Sequence, residues 1–181
     1  LSPFSFFNVF GYNPTTLIFS PSRRGRDNTT KDTYENVKQV PEAVINMVTY
    51  DMVTQASLSS VEYPAGTDEF IKAGFTKVAS EKVGPWRVGE SPLQFECKVR
   101  QVIETGTEGG AGNLVICEIV VMHISDEILD SQGRIDTQKI RLVGRMGGDY
   151  YVKAFGEALF EVPKPVTSLG IGIDALPEKI R

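Results

Sequence analysis

The residues best equipped for chemistry lie near the start of the chain. Arg23, Arg24, Arg26 and Lys31 place four cations within nine positions, interleaved with the hydroxyls of Thr29, Thr30 and Thr33. They run into K-D-T at 31–33, where a short helix is expected to begin. A helix start presents unpaired backbone N–H groups and the positive end of the helix dipole, and so favours an oxyanion such as phosphate. The same cations would equally serve a solvated loop, and residue types alone leave that choice open. Elsewhere the chemical inventory is thin. His123 is the only histidine, on the strand face it shares with Val121 and Ile119, and is expected to be a strand-end core residue. One histidine and two scattered cysteines do not make a metal cluster, and there is no paired base and nucleophile for a catalytic triad. The glycines of G-T-E-G-G-A-G at 106–112 lie between two strand patterns rather than between a strand and a helix. They are therefore expected to form a mobile hairpin loop, not a dinucleotide fingerprint. L-G-I-G-I at 169–173 has no following helix and fails the same test.

The elements that must position the basic loop can be laid out from pattern. Residues 4–10 are aromatic and β-branched enough for a strand, 11–14 form a turn, and 15–19 make a second strand. After the loop, the short helix would bury Tyr34 and Val37, and residues 43–48 would form a buried strand. Residues 51–59 suit a helix capped by Asp51 with Met52, Ala56 and Ser59 inward. Residues 68–73 suit another, ended by Gly74. Trp86, after Gly84 and Pro85, would be a flap or a surface plug. Leu93, Phe95, Cys97, Val99 and Ile103 alternate with Gln94, Glu96, Lys98, Arg100 and Glu104, which predicts a half-buried strand with the polar set in water. Residues 114–124 are apolar on both faces and predict a central strand. Helical turns are expected near 126–129 and 136–142, a strand over 150–155, and an irregular Pro- and Gly-rich arm from 163 onward. Helices inserted among antiparallel strands give an α+β fold rather than βαβ units.

Composition is that of one ordinary globular domain over 1–181, with 41% hydrophobic and 23% charged residues. A net charge of −4 argues against nucleic acid as a partner. No apolar run approaches the roughly 20 residues of a membrane span. Cys97 and Cys117 fall in strand patterns and are expected as reduced core thiols, which fits a cytoplasmic protein.

Several motifs in order also resemble a family. S-F-F-N at 5–8, x-P-x-x-L-x-x-S-P at 13–21, K-D-T-x-x-N at 31–36, E-Y-P-x-G-x-D-E-F at 62–70, E-S-P-L-x-F-E-C at 90–97 and R-M-G-G-x-Y-Y at 145–151 resemble the flavin-reductase-like proteins of the FMN-binding split barrel, in particular the flavoredoxin-type branch. The resemblance implies a mainly antiparallel split β-barrel with short inserted helices. Members carry further strand sequence ahead of the first motif, whereas this chain begins inside the pattern at Leu1, so upstream strand sequence is expected. It further implies that Ser5, Phe6, Phe7 and Asn8 line a flavin ring. Ser20, Ser22 and Arg24 would serve the ribityl chain and phosphate, and Lys31, Asp32 and Thr33 would anchor the phosphate end. The implied activity is that of an NAD(P)H:flavin reductase or a flavoredoxin-like electron carrier, with hydride passing to flavin N5 from a transiently docked NAD(P)H. Electrons would leave to a small-molecule or protein acceptor, and the flavin would lie between the barrels of a homodimer. Two other readings stay open on the sequence: a flavin-binding or storage protein without nicotinamide access, and a related barrel that binds another phosphorylated ring.

Overall fold

The computed structural model describes residues 1–64 and 66–162, so the expectations for the arm beyond 163 lie outside the described residues. The chain runs through β1 (Phe7–Tyr12), β2 (Thr15–Phe19), α1 (Asp32–Gln39), β3 (Glu42–Asn46), α2 (Val53–Leu58), α3 (Glu69–Ala73), β4 (Lys77–Val78), β5 (Arg87–Val88), β6 (Leu93–Glu104), β7 (Asn113–Ile124), α4 (Thr137–Ile140), β8 (Val143–Gly147) and β9 (Tyr150–Lys153). Five strands form one sheet in the order β1-β2-β7-β6-β3, and every neighbouring pair is antiparallel. β4–β5 and β8–β9 are separate two-stranded ribbons. The architecture is the mainly antiparallel α+β arrangement that the pattern predicts, with the apolar 114–124 run at the centre of the sheet.

One face of that sheet makes the main core. Leu17 and Phe19 of β2, Leu93, Phe95 and Cys97 of β6, and Val115 and Cys117 of β7 pack there with Val37, Ile128 and Ile140 from the connecting segments. The two cysteines stand in it as free thiols, as expected. The neighbouring Cys117 thiol and burial push the Cys97 thiol well above its ordinary value, so it is held protonated. A second cluster of Met52, Ala56, Phe70, Ala73, Phe75 and Val88 seats α2 and α3. α3 follows its signals closely. The Asp68 carboxylate accepts from the Phe70 N–H at the start, and Gly74 takes the left-handed conformation (φ 71°) that ends it.

Three local expectations are corrected. The first strand starts at Phe7 rather than 4 and runs through Gly11 and Tyr12, because Phe4 leaves the ladder to pack its ring 5.6 Å from that of Phe19. Asp51 does not cap α2. A 3₁₀ turn at Tyr50–Met52 precedes the helix, and the Asp51 carboxylate pairs with Arg141 at 2.9 Å. The polar set of β6 is not all in water. Leu93 through Cys97 are buried on both faces, because residues 79–91 fold back over Gln94 and Glu96. Gln94 donates to the carbonyls of Val88 (2.7 Å) and Ser91 (2.9 Å) and accepts from Arg87 (2.8 Å). Glu96, with no solvent exposure, accepts from the Glu81 N–H (2.8 Å) and the Lys82 N–H (2.7 Å), and its Oε1 lies 2.7 Å from His123 Nε2. Burial pushes the Glu96 carboxyl up. The two amides and His123 more than offset it and hold the group below its ordinary value.

Candidate flavin site

Near the N-terminal end of β1 lies a cavity of about 550 Å³ lined by Pro3, Phe4, Ser5, Phe6, Ser20, Ser22, Lys31, Arg145, Met146 and Gly147. Its walls come from three separate parts of the chain. The segment before β1 supplies two aromatic rings. The turn after β2 supplies two hydroxyls, and Lys31, the residue that caps α1, supplies a cation. The third wall is the β8–β9 hairpin, whose two strands form their own ribbon.

The floor at Ser20 is tightly defined. Ser20 donates its backbone N–H to the Phe6 carbonyl (3.0 Å), and its Oγ accepts from the Asn113 N–H (3.1 Å). With its oxygen occupied by an amide, the Ser20 hydroxyl keeps its proton to donate into the cavity. Gly112 makes this possible, because a Cβ there would come within 3.0 Å of Ser20 Oγ. Beneath Ser20, the fully buried Asn113 gives its Nδ2 to the Pro21 carbonyl, while its Oδ1 has no partner among the described residues. Phe4 also lines the cavity, with the Lys31 ammonium 5.4 Å from the centre of its ring.

Of the residues singled out in the sequence, Ser5, Phe6, Ser20, Ser22 and Lys31 are brought together on this cavity. Phe7 points to the core, and Asn8 turns its Oδ1 to the Val9 N–H (2.9 Å). Asp32 and Thr33 open α1 beside Lys31, within the 31–33 stretch where the helix is expected to begin. Lys31 offers no capping side chain, which leaves the first α1 amides open. The arginines of the loop are largely consumed by the loop itself. Arg23 donates to Asn28 Oδ1 (2.7 Å) and to its carbonyl (2.6 Å). Arg24 donates to the Thr29 hydroxyl (3.2 Å) and the Thr30 carbonyl, pairs with Glu62 (3.3 Å), and lies 3.9 Å from Asp32. Arg26 pairs with Glu62 and Asp27. The Thr29 hydroxyl and amide hold the Asp27 carboxyl down to about 2. The 106–112 loop is a hairpin as expected, but it is docked rather than free. Arg23 and Ala111 bond through the backbone (2.9 Å), and a Cβ on Gly109 would meet the Gly25 carbonyl at 3.0 Å.

Sequence reasoning missed Arg145 as a wall of this cavity and Glu96 as the buried partner of His123. His123, Arg87, Gln94 and Ser125 line a further cavity of about 470 Å³. Trp86 is 50% exposed and lines neither. Among the described residues, no group of three or more His, Cys, Asp or Glu is placed to hold a metal ion, and no helix is long and apolar enough to cross a membrane.

Two aromatic rings, serine hydroxyls and two cations on one cavity match the donor set that a ring bearing a phosphorylated chain requires. The class is that of a flavin-dependent oxidoreductase on a split barrel. Residues 2–139 match the model of the flavin reductase like domain, and the chain belongs to that family. A protein of Aquifex aeolicus is 38% identical over 162 residues, covering 90% of this chain and 80% of its own length. Nitrilotriacetate monooxygenase component B from Bacillus cereus superposes with a TM-score of 0.80 at 26% identity, covering 89% of this chain and 78% of that one. A Shewanella frigidimarina protein described as having a split barrel domain gives 0.76 at 27% identity, covering 91% and 78%. Flavin is thus the cofactor class, and flavin reduction is the enzymatic role.

Proposed function

We propose that this chain is an FMN-dependent NAD(P)H:flavin reductase, or an electron carrier of the same chemistry, working as a homodimer in the cytoplasm. The observation that carries the reading is the shared cavity of Phe4, Phe6, Ser20, Ser22 and Lys31. When bound, the flavin supplies the redox chemistry, accepting a hydride at N5 and passing electrons on. The protein's part is to bind and orient. The Ser20 hydroxyl donates to a chain or phosphate oxygen. Lys31 and the open amides of α1 favour an anion there, and Ser5 and Phe6 border the ring. FMN is the flavin proposed, with Lys31 as a cation at hand for its phosphate. Asp32 and Thr33 would add the amides of the α1 start.

The decisive experiment is the visible spectrum of the purified protein, followed by anaerobic addition of NADH or NADPH. Flavin bands that bleach with either nicotinamide are the expected result. Bands that persist would overturn the reductase in favour of a storage or carrier protein, and a colourless protein that takes up no added FMN would overturn the flavin site.

The homodimer rests on apolar surface that a free monomer would leave in water. Phe10 and Tyr12 on the β1 edge of the sheet, Phe6 just before it, and Tyr150 and Tyr151 on the hairpin, are exposed. Light scattering is expected to give twice the 19.9 kDa chain mass. A flavin-loaded species at the single-chain mass would exclude the dimer.

A further inference from the structure

We infer that Arg145 is a second phosphoryl-binding residue of this cavity, acting with Lys31 as a pair of cations drawn from separate segments. The inference rests on the flavin reading above and adds to it a residue outside the loop-to-helix segment. Its basis is a difference between the cations near the site. Arg24 and Arg26 are neutralised by Asp27, Asp32 and Glu62. Lys31 and Arg145 both line the cavity, and neither joins an ion pair among the described residues. In a chain of net charge −4, two uncompensated cations on one concave surface leave a local field that an oxyanion would relieve.

Arg145 is also held in place. Its Nη2 donates to the Gly148 carbonyl (2.6 Å) and its Nη1 to the Tyr151 hydroxyl (3.3 Å), with the guanidinium 5.6 Å from the Tyr151 ring centre. The pairing of β8 with β9 slips between Arg145 and Gly147, so that Met146 is an extra residue in the ladder. Bulges of this kind redirect neighbouring side chains and recur beside functional sites. Gly147 (φ 105°) and Gly148 (φ 52°) then close the turn in conformations that L side chains rarely adopt. A surface arginine that only needed water would not require this scaffold. One that must present a planar fork to a phosphoryl group gains from it, because less freedom is lost on binding.

The phosphoryl group can belong to the flavin itself or to the nicotinamide cosubstrate, and one set of variants separates the two. Flavin-free protein, wild type, Arg145→Gln and Arg145→Lys, is titrated with FMN and with riboflavin by fluorescence. KM for NADH and NADPH is then measured at saturating flavin. Loss of FMN affinity of roughly fivefold in Arg145→Gln, with riboflavin unchanged and substantial rescue in Arg145→Lys, places the contact on the flavin phosphate. An unchanged FMN affinity with KM for the nicotinamide raised to a similar degree places it on the cosubstrate. Equal loss of FMN and riboflavin, or no change in any of these quantities, overturns the inference and leaves Arg145 a structural or solvated residue. If wild type binds neither flavin, the flavin reading has failed, and inorganic phosphate decides the remaining point. A rise in melting temperature with phosphate that Arg145→Gln abolishes upholds the cation pair, and one it leaves intact refutes it.

Discussion

Glu96→Ala lowers the melting temperature by on the order of 10 °C and frees the segment 79–86 for proteolysis. The carboxylate has no solvent exposure, yet it holds the Glu81 and Lys82 amides and the His123 ring. Removing it leaves two part-buried amides and one ring nitrogen without their partner. Breaking such a buried charged network costs about 3–5 kcal/mol, and each kcal/mol shifts the melting of a domain this size by roughly 2–4 °C. Glu96→Gln keeps the shape and one acceptor oxygen, so a smaller loss is expected. The same contact sets an acid limit. Because the folded Glu96 carboxyl sits below its unfolded value, the folded state binds fewer protons there. The contribution is therefore complete above the unfolded value, about 4.3 for a glutamate, and disappears as pH falls through the folded one. Loss of 79–86 protection on acidification is expected in wild type and already present at neutral pH in Glu96→Ala. An unaltered melt with a protease-resistant 79–86 segment would show that the network carries no net stability.

The misplacement of Glu96 shows where a strand pattern stops being informative. Alternation identified β6, and a run apolar on both faces marked β7 as central, because those signals depend only on a period of two and on burial by direct neighbours. Whether the polar side of β6 faces water depends on a segment that pairs through side chains to backbone carbonyls and amides. Nothing in the spacing of Gln94 and Glu96 announces that cover. The loop before α1 was opaque for a related reason. Thr29 and Thr30 have the right chemistry for a helix start, but Thr29 is engaged by Asp27 and Arg24, and the Thr30 hydroxyl donates to Glu35 (2.6 Å). Their competence was visible in the sequence; their prior engagement was not. α3 shows the opposite case, where Asp68 still caps the first turn while it pairs with Lys77, and Gly74 ends the helix, so the boundary is legible.

The site divides along the same line. Ser5, Phe6, Ser20, Ser22 and Lys31 lie in motifs close to one another in sequence, and a strand–turn–strand–loop layout suffices to gather them. Arg24 was weighted for its charge, but its compensation by Glu62 comes from a distant segment. Arg145 required a bulge and a glycine turn to reach the cavity, and neither follows from charge or period. Long-range neutralisation and backbone irregularity are therefore what the residue order concealed.

That contrast makes Lys31→Glu the sharpest test of the site. Lys31 is half-buried, lines the cavity beside the first turn of α1, and joins no ion pair among the described residues. A phosphomonoester carries about −1.5 to −2 charges at neutral pH, and a charge-assisted contact to it is worth roughly 1.5–3 kcal/mol. Reversing the charge is expected to weaken FMN binding by at least about tenfold. Riboflavin, which has the same ring and chain without the phosphate, should lose far less, because Ser5 and Phe6 are untouched. Added salt should erode FMN binding to wild type more than riboflavin binding, by screening. The substitution is not expected to unfold the protein, since a carboxylate at a helix start interacts favourably with the dipole. An unchanged melting temperature therefore separates lost binding from lost structure. Equal loss of both flavins would make Lys31 a support for the Phe4 wall, through the ammonium–ring contact at 5.4 Å, and would move the phosphate elsewhere. No loss of either would remove the start of α1 from the site altogether.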